Sequence, residues 1–156
     1  MTTTADDLRA QGLANGAIGR ALLEAERARL GLVPHAKEHR ALATAAAGPL
    51  HVGDDASLLV GAPAVAFVLH HAAAGTARYG AALHHLDAQI AAIAQRRLDA
   101  SHARIDRHEP ARTSEFDLFY GLTGIGAYLL ARDHHTLRDV LVYLVRLTEE
   151  NDGLPG

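Results

Sequence analysis

The sequence contains no cysteine and no tryptophan, and aromatic residues make up only 4% of it. Without Cys there is no disulfide, and no thiolate to ligate a metal or to act as a nucleophile. An excess of base is also missing. Fifteen Lys and Arg stand against eighteen Asp and Glu, a formal net charge of −3. That excludes a general nucleic-acid binder, which needs a basic face to neutralise phosphates. The longest apolar run, Leu58 to Leu69, contains Gly61 and Pro63 and is too short to span a bilayer. The stretch from Met1 to Asp7 has neither the basic segment nor the apolar stretch of a secretion signal. A soluble cytoplasmic protein is expected.

What is present is Ala and Leu. Nearly half of the 156 residues are apolar, and β-branched residues are scarce, so helix is favoured over sheet. The length suits one domain, spanning residues 1–156, with a single core.

Periodicity divides the chain into helices. Ile18, Leu22 and Ala25 recur at steps of three and four between Gly16 and Leu30, which marks one helical face, and Gly31 and Pro34 close that segment. Lys37 to Ala47 is Ala-rich and ends at Gly48-Pro49. Ser57 to Ala74 is apolar on nearly every side, as in a helix buried all round. Ser57 is its candidate cap, with regular helix expected from Ala62 because of Gly61 and Pro63. Ala77 to Arg107 is amphipathic. Its seam runs through Leu83, Leu86, Ile90, Ile93 and Arg97 or Leu98, with Asp87, Gln89, Gln95, Arg96 and Asp99 directed elsewhere. Pro110 to Ser114 is a break. Leu122 to Ala131 is again apolar, and Thr136 to Thr148 is amphipathic, with Leu137, Val140, Leu141, Leu144 and Val145 forming its apolar side. Buried and half-buried helices alternate, which implies two helical layers.

A shared pattern opens the three buried helices: Asn15-Gly16-Ala17-Ile18-Gly19, Val60-Gly61-Ala62-Pro63-Ala64 and Tyr120-Gly121-Leu122-Thr123-Gly124. A glycine at a helix start permits a tight turn or a close backbone approach. A second small residue three positions on removes a side chain where a neighbour must pass. Repetition of such an element is the mark of a repeat architecture.

The segment from Asp117 through Gly121-Leu122-Thr123-Gly124-Ile125-Gly126 to Tyr128-Leu129-Leu130 resembles the signature of lanthionine synthetase C-like proteins, the cyclases of class I lanthipeptide biosynthesis. The stretches around Gly16 and Gly61 are similar to earlier glycine motifs of that family, and Gly153-Leu154-Pro155-Gly156 is similar to its later Pro-Gly. The resemblance covers essentially the whole chain. It implies an all-α fold, about three of the six hairpins of an (α/α)6 toroid that is about twice this length. In the family a central zinc, held by two Cys and a His of the C-terminal repeats, lowers the pKa of a substrate cysteine. The thiolate then adds to a dehydroamino acid of a precursor peptide and closes a thioether ring. This chain would be the N-terminal half, without the zinc-binding half and catalytically incomplete alone. Zinc is expected only in a full-length member. Asp117 matches an active-site aspartate whose implied role is to position or charge-balance a His from the other half. The competing reading is that Asp117 braces the start of its own helix.

Eleven His raise the question of a metal site. The adjacent pairs His70-His71, His84-His85 and His134-His135 diverge by about 100° on a helix and cannot chelate one ion. His35 and His39 share a face, but no spacing nominates a third ligand. No GxSxG, phosphate loop or HExxH is present. Asp54-Asp55 and Glu149-Glu150 read as solvated turn charges. Half a ring would expose apolar flanks such as that of Leu122 to Ala131. The expected partners are therefore a precursor peptide, together with a C-terminal half, a dehydratase or a second copy. The alternative is a non-catalytic peptide- or partner-binding module built on the same fold.

Overall fold

A computed structural model describes residues 5–151 together with Leu154–Pro155. Met1 to Thr4, Gly153 and Gly156, on which the readings of the N-terminal stretch and of the closing motif bear, lie outside the described residues. The chain is built from helices: α1 (Ala5–Ala10), α2 (Ala17–Arg29), α3 (His35–Ala45), α4 (Ala62–Ala73), α5 (Gly80–Asp106), α6 (Thr113–Phe116), α7 (Leu122–Ala131) and α8 (Leu137–Arg146). The only pairing of named strands among the described residues is a two-residue antiparallel contact of β1 (Glu150–Asn151) with β2 (Leu154–Pro155). The fold is all-α, as expected.

Three hairpins, α2/α3, α4/α5 and α7/α8, stack side by side. α2 packs on α4 and α4 on α7, which forms a continuous first layer; α3, α5 and α8 form the second. The layers follow from composition. α4 offers no polar face to water until His70, and nine of its residues are buried, from Ala62 through Ala66 and at Val68, Leu69, Ala72 and Ala73. α5 carries the amphipathic seam, with Leu83, Leu86, Ile90, Ile93 and Leu98 buried against the first layer. Ile18, Val65, Ile125, Leu129 and Tyr128 complete the core between the layers.

Each first-layer helix is preceded by its glycine. Gly16, Gly61 and Gly121 are the N-cap residues of α2, α4 and α7. Gly61 lies at φ 83°, a conformation that L side chains rarely adopt, and a Cβ there would stand 2.6 Å from the His51 carbonyl oxygen. Gly19 and Gly124, the second small residues, fill matching places. A Cβ on either would be driven into the carbonyl oxygen of the residue six positions earlier, Leu13 or Leu118.

Several local expectations need correction. Ser57 does not cap α4; it is buried in the preceding loop, where its Oγ accepts the Leu59 N–H at 3.3 Å. α2 already stops at Arg29, and Pro34 is the N-cap of the next helix, so α3 starts at His35, ahead of Lys37. The break around Pro110 gives way to α6 at Thr113. On α8 the buried residues are Val140 and Tyr143, while Leu141 and Val145 are exposed. Asp87 faces the interior. Its carboxylate accepts from the Tyr128 hydroxyl at 2.7 Å and pairs with Arg132 at 2.9 Å. A helical wheel sees only a polar residue at that position; the partners arrive from α7, which local periodicity cannot show.

Candidate functional site

The segments that lead into α2, α4 and α7 lie side by side, the first two joined directly and the third through a side chain of α5. Leu13 donates its N–H to the Leu59 carbonyl at 2.8 Å, and Gly12 and Val60 form an antiparallel bridge. Gln11, buried, donates to the Pro49 carbonyl and accepts the His51 N–H, both at 2.8 Å. From α5, Arg97 reaches the same face. Its Nε donates to the Asp54 carbonyl at 2.9 Å, its Nη2 to the Ala56 carbonyl at 2.8 Å and its Nη1 to the Tyr120 carbonyl at 2.7 Å. One guanidinium thus ties the loop before α4 to the loop before α7. Because those acceptors are neutral, burial dominates and lowers the Arg97 pKa from its ordinary value, against the pull of Asp54 and Asp55.

Asp117 sits on this face, half-buried, at the start of the loop into α7. Its Oδ1 accepts the N–H groups of Phe119 and Tyr120, each at 2.7 Å, and its carbonyl accepts the Gly121 N–H at 3.0 Å. The equivalent bond before α2 runs from the Gly16 N–H to the Gly12 carbonyl at 2.8 Å. The bracing role is therefore present. With Oδ1 committed to two amides, Oδ2 makes no hydrogen bond among the described residues. The carboxylate is held in one orientation with one oxygen available. Beside it, Phe116 at the end of α6 and Leu118, Phe119 and Tyr120 on the loop that follows are all exposed and form an apolar row.

The histidines are spread over the molecule. His35 pairs with Glu38 at 2.8 Å and His39 stacks on the Tyr79 ring. His51 pairs with Asp55 at 2.6 Å, His71 with Glu26, and His102 meets Arg146 at 2.8 Å. No group of three or more His, Cys, Asp or Glu that could hold a metal ion occurs among the described residues. The residues of this chain do not fit the zinc centre implied by the resemblance: the thiolate donors are lacking, and His35, His51 and His71 are each paired with a carboxylate. No helix among the described residues is long and apolar enough to cross a membrane.

Sequence reasoning singled out Asp117 and the glycines, and the structure brings them to one face. It missed Gln11, and it placed Arg97 only as a possible end of the α5 seam, without its bracing role. Gln11 carries no pattern signal. Arg97 lies at the edge of the α5 seam, and a long basic residue ending an apolar stripe was the available clue.

The model of the family described as lanthionine synthetase C-like protein matches residues 9–154. This chain belongs to that family. The match takes in all three hairpins and Asp117, so the lanthionine synthetase C-like assignment extends well beyond the glycine motifs. No curated protein and no solved structure is significantly similar to this lanthionine synthetase C-like chain.

Proposed function

We propose that this chain is the N-terminal portion of a lanthipeptide cyclase-like toroid, which supplies scaffold, the Asp117 carboxylate and part of the peptide-binding face. The supporting observation is the state of Asp117. Two backbone amides lock its Oδ1 while Oδ2 is left unpaired among the described residues, the condition needed to receive an N–H from a group outside the chain. Asp117 acts as the acceptor that orients a His of a complementary half. The apolar row Phe116, Leu118, Phe119 and Tyr120 offers a precursor peptide a surface beside that carboxylate. The zinc chemistry belongs to the complementary half, since the donors here do not fit it.

Zinc analysis of the purified chain and cyclisation of a dehydrated precursor peptide test this reading. Substoichiometric zinc and no turnover by the chain alone are expected. Bound zinc in a one-to-one ratio together with ring formation would contradict it. A second reading, a peptide-binding module without catalytic duty, is favoured by the same exposed aromatic row. It requires peptide binding that is lost on Phe119→Ala, with no cyclisation in the presence of any complementary half.

A further inference from the structure

Outside the Asp117 carboxylate, one cleft combines size, charge and an unsatisfied buried group. It has a volume of about 670 Å³ and lies between the C-terminal half of α5, α6 and the loop before α4. Arg97, Arg104, Arg107 and Arg112 all line it. The acids around it are already committed. Glu115 pairs with Arg104 at 2.9 Å and Glu109 with Arg107 at 2.7 Å. At the rim, Asp54 pairs with Arg96 at 2.9 Å and Asp55 with His51 at 2.6 Å. Two lining arginines keep charge to spare. Arg97 spends its donors on neutral carbonyls, and no carboxylate pairs with the Arg112 guanidinium among the described residues.

Arg104 adds an independent observation. Its side chain is only 4% exposed. Nε donates to Glu115 and Nη1 to the Glu109 carbonyl, but Nη2 is buried without any hydrogen-bond partner. A charged donor left unpaired in the interior is costly, so native proteins rarely keep one without a ligand or water to complete it. The exposed Arg107–Glu109 pair beside it is a weak, solvent-screened contact that costs little to open.

We propose that this cleft binds a carboxylate presented by an acidic peptide, with Arg112 as the exposed first contact and Arg104 Nη2 as the inner donor. Guanidinium groups suit a planar carboxylate because their forked donors match its two oxygens. A single peptide carboxylate inside the cleft, with its neighbours left in solvent, is favoured over a phosphate dianion, because Asp54, Asp55, Glu109 and Glu115 all border the cleft and repel a second negative charge within it. The two proposed donors, Arg104 and Arg112, have no part in the cyclase reading, although Tyr120 borders both sites, and the test requires no turnover, so either can fail alone.

The test is a titration of the full chain, followed by the arginine Nε–H resonances, with acetylated and amidated tetraglutamate. Tetraglutamine and inorganic phosphate serve as controls. The expected result is saturable, salt-sensitive binding of tetraglutamate that shifts the Arg104 Nε–H signal, with none for tetraglutamine. Arg112→Gln, at an exposed position, should leave the fold intact and weaken binding about tenfold, the loss of one charge-assisted hydrogen bond. Absence of saturable binding, unchanged affinity in Arg112→Gln, or tighter binding of phosphate than of the peptide would overturn the proposal.

Discussion

At the scale of single residues, conformation and close contact decide what each position tolerates. Gly61→Ala places a methyl at φ 83° and against the His51 carbonyl, and should cost about 2–4 kcal/mol by chemical denaturation, strain and overlap together. Gly31→Ala is the contrast. Gly31 also has positive φ, 71°, but nothing lies within 4 Å of its Cβ position, so only the backbone penalty of about 1–2 kcal/mol applies. Equal losses in the two variants would contradict the packing argument. Asp117 separates fold from function in the same way. Asp117→Asn retains an oxygen for the Phe119 and Tyr120 amides and should keep stability within about 1 kcal/mol, while removing the charge needed toward a complementary half. The glycines were legible in the sequence because their spacing repeats. The brace made by Arg97 was not, because its three carbonyl acceptors lie far away along the chain.

At the scale of elements, the second layer is fastened to the first by a polar brace as well as by apolar packing. Asp87 on α5 meets Tyr128 and Arg132 at the end of α7. Burial alone would raise the Asp87 pKa, but the Arg132 pairing and the Tyr128 hydroxyl outweigh it and hold the pKa below the usual carboxylate value. A depressed carboxylate pKa contributes stability that is present above the unfolded value, about 3.9, and is lost as pH falls through the folded one. His70 acts at higher pH. Burial first, and Arg132 second, lower its pKa, so protonation is disfavoured in the folded state and stability declines as pH drops below about 6.5. Thermal unfolding across this range should show both phases, and His70→Gln should remove the upper one alone. Persistence of the upper phase in that variant would show that another group titrates there. Arg132→Ala leaves the Asp87 charge and the Tyr128 hydroxyl to share one interior without a cation, and should cost about 2–4 kcal/mol. Helix positions were readable from periodicity to within a few residues. The inward turn of Asp87 and the exposure of Leu141 and Val145 were not, because each depends on which helix stands opposite.

At the scale of the whole molecule, the arrangement stops with an apolar flank uncovered. Leu141, Val142 and Val145 of α8 are each more than half exposed and border a cavity of about 700 Å³. The sequence reading expects open flanks on inner helices such as Leu122 to Ala131. Leu130 of that helix is indeed exposed, but α8 carries the larger share. If a further hairpin of a complementary half covers this flank, Val142→Asp should abolish that association in sedimentation experiments without lowering the melting temperature of the chain alone. Association unaffected by the substitution would place the contact elsewhere. The architecture and the family were accessible from three short motifs, because each lead-in loop folds back on the first turn of its own helix, where Gly19 and Gly124 leave room for the Leu13 and Leu118 carbonyls. The stitching of the lead-in loops by Gln11 and Arg97 required the fold. The most direct test of the cyclase reading is ring formation on a dehydrated precursor peptide by this chain mixed with a separately produced, zinc-bearing C-terminal half of a family member. Turnover by the mixture is expected, with none by either part and a large loss with Asp117→Asn despite intact folding. Full activity of the mixture with Asp117→Asn, or of the zinc-bearing half alone, would contradict it.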